Sequence, residues 1–194
     1  MKRYADIVPA ALLLAVSLAA CRPAPTPKPD AYFRIDPPAE NYRRAETLPV
    51  TFEISAEATA TPASPAEKQP EVLWSQIHYP RYHATLYCSY HPLRGNLTSL
   101  LEENRELIYR QSVYADAVQA SRFEDEERPL YATLYELSGE SATPIQFIAT
   151  DSLRYLLRGA LYFDTPVQND SITPVLGYLT DEVIHLIETI EYPH

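Results

Sequence analysis

The start of the chain places the strongest constraint on its fold, because it separates a segment that is removed from the segment that folds. A basic pair, Lys2-Arg3, precedes an apolar run over residues 7–20 that ends in Leu18-Ala19-Ala20-Cys21. A membrane-spanning helix needs about 20 apolar residues, more than this run supplies. The other alternative is a plain secretory peptide with an incidental cysteine. The pattern resembles a bacterial lipobox, which predicts a signal peptide over residues 1–20 and a lipid on Cys21.

The cysteine count and the charge follow from this prediction. The chain has two cysteines, so acylation of Cys21 leaves Cys88 as the only thiol and excludes an intramolecular disulfide. The hydrophobic core must therefore hold the fold together. The formal net charge is −10, and the basic residues are mostly scattered arginines. Nucleic acid and anionic lipid headgroups are therefore not expected as partners.

Proline content defines the predicted domain boundaries. Six prolines fall between residues 22 and 38, a density that excludes helix and favours an extended polyproline conformation. We interpret residues 21–38 as a Pro-rich tether that holds the domain off the membrane, and residues 39–194 as a single α+β domain. Within that domain, residues 55–70 are rich in Ala, Thr, Glu and Pro, which predicts a long mobile loop.

Alternating apolar residues predict five strands in the domain. They cover residues 73–77, 84–90, 130–137, 145–150 and 154–163. In the second strand Ala84, Leu86, Cys88 and Tyr90 share one face, which places Cys88 in the core. In the fifth strand apolar and charged residues alternate, which predicts one face in the core and one charged outer face.

Two amphipathic helices complete the predicted domain. The first has Asn96 as its N-cap, and apolar residues recur at helical spacing as far as Val118. The second is capped by Thr173, has Pro174 in its first position and carries an apolar stripe that reaches Ile190. The order of elements lacks the regular alternation of a parallel α/β sheet. We therefore expect an α+β fold, a mainly antiparallel sheet covered by two helices, which resembles the PsbP/Mog1-like sandwich.

Residues with catalytic or metal-binding chemistry do not fall into a usable arrangement. His78, His83 and His91 cluster around Cys88 in the sequence. However, His83 and His91 would lie roughly 26 Å apart along an extended strand, with Cys88 on the opposite face, so they cannot bind one ion. A site that combines one of them with a distant residue is the alternative. The four glycines supply no glycine-rich loop that could expose a nucleophile or hold a phosphate. We expect no enzyme activity, no metal site and no cofactor apart from the covalent lipid on Cys21.

The densest polar signal surrounds the predicted turn between the fourth and fifth strands. If the apolar residues of both strands face the core, Gln146, Arg154 and Arg158 share one outer face, and Asp151 and Ser152 lie at the turn. The pattern predicts a partner-docking patch of these five residues. An ordinary hydrogen-bonded hairpin is one alternative. A ligand-binding or enzymatic lipoprotein that uses the polar face around Asp151 and Arg158 is another.

Short motifs in a fixed order resemble the gliding-motility lipoprotein GldD family over most of the chain after Cys21. They include Tyr32-Phe33-Arg34-Ile35-Asp36, Ala115-Asp116-Ala117, Leu134-Tyr135-Glu136-Leu137-Ser138-Gly139, Pro144-Ile145-Gln146-Phe147, Thr150-Asp151-Ser152 and Arg158-Gly159-Ala160-Leu161-Tyr162-Phe163. The chain departs from the family at two places. The family tends to have a basic residue followed by histidine where Arg110-Gln111 and Arg154-Tyr155 stand here.

The resemblance implies a lipid-anchored protein of the bacterial cell envelope that faces the periplasm. It implies a role in the gliding apparatus and in the type IX secretion system, with other envelope proteins of these machineries and the lipid bilayer as partners. It implies no enzyme activity and no cofactor. Ser152 and Ser171 fall in Asp-Ser-apolar tripeptides, which some gliding-type bacteria O-glycosylate, and this is a minor hypothesis here.

Overall fold

A seven-stranded antiparallel sheet is the centre of the computed structural model, which describes residues 41–64, 69–125, 127–164 and 172–192. The predicted signal peptide, the predicted tether with Cys21, and Ser171 lie outside the described residues. The spatial order of the strands is β3-β4-β5-β9-β8-β7-β6, and all neighbours pair antiparallel. The elements are β1 (Tyr42–Ala45), β2 (Phe52–Ser55), β3 (Thr59–Ala63), β4 (Leu73–Tyr79), β5 (Ala84–Pro92), α1 (Leu97–Gln111), β6 (Ala115–Asp125), β7 (Leu130–Gly139), β8 (Ile145–Thr150), β9 (Tyr155–Phe163) and α2 (Thr173–Glu188).

The main core lies on one side of this sheet, which we call the first face. Alternate residues of the central strands point into it, among them Leu86, Phe147 and Leu161, all fully buried. Helix α2 covers this face, and its predicted apolar stripe packs into the same cluster through Leu179, Val183, Leu186 and Ile187. The separate β1–β2 hairpin contributes further apolar side chains to the same cluster. The first face is therefore closed by two elements.

A smaller core lies on the opposite side, the second face. Ile108 of α1 packs there against Tyr135, Leu137, Ile148 and Leu156 of the sheet. Helix α1 thus covers the side of the sheet opposite to α2. The predicted fold class, an antiparallel sheet covered by two helices, is confirmed, while the PsbP/Mog1-like resemblance stays a prediction.

The predicted first helix was too long. Helix α1 ends at Gln111, and the following residues turn back to form β6, so Ala115 and Val118 belong to a strand. Asn96 does occupy the N-cap position, but its side chain accepts a hydrogen bond from the backbone N–H of Arg94 and not from the helix. Apolar spacing alone could not show this end, because β6 happens to continue the helical pattern for two residues.

The predicted mobile loop over residues 55–70 was also partly wrong. Residues Thr59–Ala63 form β3, which pairs with β4 at one edge of the large sheet. The pairing supplies backbone hydrogen bonds that the composition of the segment did not suggest. Residues 65–68 lie outside the described residues.

Cys88 lies in the main core, as its place in the predicted strand required. It is fully buried on the first face, next to Gly159 of β9. Burial raises the pKa of its thiol to about 12, and the thiolate is the reactive form. We therefore expect no labelling of the native protein by an aromatic disulfide reagent at pH 8 and complete labelling in urea. Rapid labelling without urea would show that the β5–β9 pair opens to solvent.

Candidate docking surface

The structure divides the predicted docking patch between buried and exposed positions. Gln146 and Arg158 lie on the second face beneath α1, where Gln146 is completely buried and Arg158 nearly so. The Arg158 guanidinium donates to Gln146 Oε1 at 2.9 Å, and Gln146 Nε2 donates to Thr143 at 2.9 Å. Gln111 at the end of α1 also accepts from Arg158 at 3.3 Å. These polar groups bind one another, so the expectation that they form an outer face is wrong.

The Arg158 cluster instead joins α1 to the sheet. Gln111, at one of the two positions where the family tends to have histidine, contacts both Arg158 and the Tyr162 hydroxyl of β9, the latter at 3.4 Å. Burial lowers the pKa of Arg158, yet a guanidinium remains charged near neutrality. A buried charge needs hydrogen bonds to be tolerated. The amide oxygens of Gln146 and Gln111 both accept from Nη2 of Arg158, while its buried Nε makes no hydrogen bond to another described residue.

Asp151 and Arg154 form a second polar cluster at the β8–β9 turn. Asp151 is 3% exposed, and its Oδ1 accepts from the backbone N–H groups of Leu153, Arg154 and Tyr155 at 2.7–3.2 Å. Its Oδ2 accepts from the Arg154 side chain at 2.5 Å. Burial alone would raise the pKa of Asp151, but these hydrogen bonds outweigh it and lower the pKa. Both oxygens are used to build the turn.

The exposed half of this cluster borders a cleft of about 360 Å³. The Arg154 guanidinium lies over the ring of Tyr192, 4.2 Å from its centroid, on one wall of the cleft. Arg128 is on another wall, where its nitrogens donate to Asp125 and to the carbonyl groups of Glu188 and Ile190. Both arginines are thus bonded to the protein itself, which makes the cleft a poor receptor for an acidic ligand.

Ser152 is the residue of the predicted patch that lines a second, larger groove on the protein surface. Its backbone is left-handed, with φ of 67°, and its N–H donates to Thr150 Oγ1 at 2.9 Å. The turn thereby presents Ser152 at the edge of a groove on the second face and leaves Leu153 exposed. Asp151 therefore affects this surface indirectly, through the conformation of the turn.

The groove, of about 660 Å³, lies between α1 and strands β6, β7 and β8. On the helix side it is lined by Leu97, Leu101, Arg105 and Tyr109. The sheet side is formed mainly by Ala120, Arg122, Glu124, Tyr131, Tyr135 and Ser152. We call this surface the α1–β6 groove. The sequence interpretation missed it because it treated the first residues of β6 as helix.

Exposed apolar side chains concentrate on the elements around the α1–β6 groove. In the described part of the chain, eight large apolar or aromatic residues are exposed; five of them belong to α1, β6, β7 or the α1–β6 turn, and a sixth lies in the β8–β9 turn. These six are Tyr109, Val113, Tyr114, Val118, Tyr131 and Leu153. Scattered exposed apolar residues are ordinary, whereas larger contiguous exposed patches are typical of interaction surfaces.

The histidines are placed far from a metal-binding arrangement. The His78 and His91 rings each contact a hydroxyl, on Thr85 and Ser89 respectively, at 3.1 Å. His83 is exposed in the turn before β5, 4.0 Å from Asp164. Over the described residues, no group of three or more His, Cys, Asp or Glu side chains is positioned to hold a metal ion.

Another buried polar cluster, which the sequence analysis missed, lies around the middle of α2. Glu182 is almost fully buried, burial raises its pKa, and its carboxylate accepts hydrogen bonds from Tyr178 and from Tyr42, the latter at 3.5 Å. A neighbouring cavity of about 150 Å³ is lined by Tyr79 and Tyr82, whose hydroxyls are buried and make no hydrogen bond to another described residue. A cavity of this volume can hold ordered water, which would supply the hydrogen bonds that these two hydroxyls lack.

Comparison with known proteins assigns the chain to a family. No helix among the described residues is long and apolar enough to cross a membrane. A search of curated proteins finds no significant match. The model of one family, the gliding motility lipoprotein GldD, matches residues 22–192. Since this region is far more than half of the 194 residues, the chain belongs to the gliding motility lipoprotein GldD family.

Proposed function

We propose that this protein is a lipid-anchored, non-catalytic component that assembles or stabilises the gliding machinery and the type IX secretion system that shares its parts. The observation that carries the proposal is the α1–β6 groove, an open surface surrounded by exposed apolar residues. A docking protein needs such a surface, whereas an enzyme needs convergent polar groups in a sheltered pocket. Membership in the family supports the gliding role.

The polar clusters support the non-catalytic part of the proposal. Asp151 and Arg158 were the residues around which a ligand-binding or enzymatic alternative was framed. Asp151 accepts four hydrogen bonds from its own turn, and Arg158 is bonded to two glutamine side chains under α1. The pKa of Asp151 is lowered, opposite to the shift that would prepare a carboxyl group to act as an acid near neutrality. Both Asp151 oxygens are therefore occupied, and Nε of Arg158, which makes no hydrogen bond to another described residue, is buried beneath α1 and not exposed to a substrate.

The predicted lipid on Cys21 gives the proposal its location. Each buried methylene of an acyl chain contributes about 0.8 kcal/mol, so two or three chains would hold the protein at the membrane permanently. The Pro-rich segment 21–38 would then extend the domain into the periplasm as a semi-rigid spacer. Position at the membrane is thus part of the function that we propose, together with the groove.

Replacement of the anchor tests this proposal. We expect a secreted Cys21→Ser chain to fold normally and to appear in the soluble periplasmic fraction. It should fail to restore gliding or type IX secretion to a strain that lacks the native protein. The matched control is Cys88→Ala, which keeps the anchor and should restore both. Full restoration by the soluble Cys21→Ser chain would refute a function that depends on membrane attachment.

A further inference from the structure

The two edges of the large sheet differ in how well they are protected. Strand β3 has five residues, among them Pro62, at one edge. Strand β6 has eleven residues at the other edge and contains no proline, glycine or lysine. Short strands and prolines are devices by which proteins protect sheet edges, because an unpaired row of backbone N–H and C=O groups attracts another strand. Of the two edges of the large sheet, β6 is therefore the less protected.

The middle of β6 is particularly suited to pairing. Residues 117–121 carry no charge, and four of these five residues are exposed. A register shift between Ala115 and Ala117 distorts only the first residues of the strand. The remaining pairs with β7 run without interruption to Asp125. A regular, uncharged edge of this length is long enough for a typical strand of five or six residues.

On the second face of β6, Ala120 and Arg122 line the α1–β6 groove, and Val118 precedes them on the same face. Val118, Ala120 and Arg122 lie opposite Leu137, Tyr135 and Thr133 of β7, so they share the groove face. A strand paired with β6 would therefore place alternate side chains beside these three residues and toward the groove. Backbone pairing and side-chain recognition would occur at the same place.

The charges of the groove indicate the chemistry of the partner. Arg105 and Arg122 both line the groove and are exposed, and neither forms an ion pair with another described residue. Glu124 lies two residues beyond Arg122 on the same face, without an ion pair to it within the described part of the chain. An acidic side chain opposite Arg122 would gain a cross-strand partner, whereas a basic one would be repelled.

We propose that β6 accepts an extended segment of a partner protein as an additional antiparallel strand of the sheet. The segment places an acidic residue opposite Arg122 and apolar residues opposite Ala120 and Val118. This inference rests on the proposed docking function and specifies its surface and the kind of partner. A second copy of this chain paired through its own β6 is the competing occupant, and the test distinguishes the two.

The test uses a capped peptide, acetyl-Thr-Glu-Thr-Phe-Thr-Val-Thr-amide, added to the mature lipoprotein in detergent micelles. Paired antiparallel, its Glu faces Arg122, its Phe faces Ala120 and its Val faces Val118. Hydrogen exchange measured by mass spectrometry should show slower exchange in residues 115–125 and little change in β3. A control peptide with Lys in place of Glu should bind roughly fivefold more weakly at low salt.

A charge swap provides the decisive comparison. Arg122→Glu should reverse the preference, so that the Lys peptide binds more tightly than the Glu peptide. The matched control, Arg94→Glu, changes the net charge equally at an exposed position outside the groove and should keep the original preference. Binding without any preference between the two peptides would overturn the acidic assignment. Loss of preference in both variants would show that net charge alone is responsible.

The remaining outcomes also decide the proposal. Unchanged exchange in β6 at the highest soluble peptide concentration would overturn it. Protection of β6 that increases with protein concentration in the absence of peptide would assign the edge to a second copy of the chain. If gliding requires Cys21 but the peptide does not protect β6 from exchange, the proposed function stands and the strand-pairing inference is refuted. If the Cys21→Ser chain restores gliding and the peptide protects β6, the membrane-dependent function is refuted and the strand-pairing inference stands.

Discussion

Gly159→Ala is expected to destabilise this protein by at least about 3 kcal/mol, beyond the usual range for a one-methyl change in a core. Gly159 lies in β9 directly opposite Phe147 of β8 and Cys88 of β5, on the first face. A Cβ at this position would lie 2.6 Å from Phe147 Cδ1 and 2.8 Å from its Cζ, and closer still to Cε1. Carbon atoms in contact normally stay 3.5–4.0 Å apart, so the ring would have to move.

The surroundings give the Phe147 ring nowhere to go. Phe147 is completely buried in the main core, together with Leu157, Leu161 and the side chains of α2. Protein cores are packed as densely as organic crystals, so displacement of the ring would transmit strain to both neighbouring strands and to the helix. A glycine in a strand interior commonly marks such a close approach. Here it allows an aromatic ring to lie close against the backbone.

Urea unfolding of the soluble Cys21→Ser chain measures the effect, with the single tryptophan, Trp74, as the fluorescent probe. Gly177→Ala is the matched control, since nothing lies within 4 Å of a Cβ at that position in α2. It should be neutral or stabilising by up to about 1 kcal/mol. Phe147→Leu should be less harmful in the Gly159→Ala background than in the native chain. Equal stability of Gly159→Ala and native protein would show that the ring is not seated on this glycine.

The first face of the sheet was predictable from the sequence, because each of its strands alternates cleanly. In β5, the predicted inward residues Ala84, Leu86, Cys88 and Tyr90 all lie in the main core. Helix α2 was predictable for a similar reason, since its apolar stripe has a period of 3.6 and Pro174 stands in its first turn. Both patterns reflect burial on one side only, which local sequence records well.

The second face was not predictable in the same way. In β9, the consecutive residues Leu156 and Leu157 are both fully buried, on opposite faces, because α1 covers the side that was expected to be charged. A strand buried on both faces reads as a continuous apolar run. Residues Tyr155 to Phe163 are such an apolar run, interrupted by Arg158. The charge of Arg158 led to the prediction that one face of this strand is exposed. The strand pairing did place Gln146 on the same face as Arg158, but Gln111 on α1 is too distant in sequence for any local pattern to show.

The extent of β6 depended on tertiary context for a different reason. Its residues Ala115–Asp125 are mainly small or polar, with little of the β-branched and aromatic character that predicts strands. Pairing with β7 along almost its whole length holds it in the sheet. The reversal of the chain at Ser112, whose N–H bonds back to the carbonyl groups of Ile108 and Tyr109, separates it from α1. Long-range pairing therefore overrides the weak strand propensity of β6. Because β6 was not predicted, the groove that it lines was not predicted either.

Asp151→Ala is expected to cost about 2–3 kcal/mol, the second large effect, because it removes one acceptor from several donors at once. The backbone N–H groups of Leu153, Arg154 and Tyr155 would lose their partner, and that of Tyr155 is buried. Asp151→Asn keeps an oxygen in the Oδ1 position and should cost only about 1 kcal/mol. The control Asp181→Ala, at an exposed position on α2, should change the unfolding free energy by less than about 0.5 kcal/mol.

The effect of Asp151 should depend on pH in a defined direction. Its hydrogen bonds hold the pKa of the carboxyl group in the folded protein below its ordinary value. The stability it contributes is therefore fully present above the unfolded-state pKa of about 4, and it is lost as pH falls through the lower folded-state pKa. The difference in unfolding free energy between native protein and Asp151→Asn should thus be constant from pH 7 to about pH 5 and shrink below that. A difference that grows on acidification would mean that the carboxyl group is protonated in the fold.

The same substitution tests whether the turn belongs to the docking surface. Asp151 fixes the conformation that places Ser152 at the edge of the α1–β6 groove, with Leu153 exposed beside it. If docking uses this edge, Asp151→Asn should reduce gliding or secretion more than a variant of equal stability that alters the opposite face. Val183→Ala, on the buried side of α2 in the main core, can serve as that variant if its unfolding free energy equals that of Asp151→Asn. Equal activity of the two would confine Asp151 to stabilising the fold and leave β6 as the recognition element of the groove.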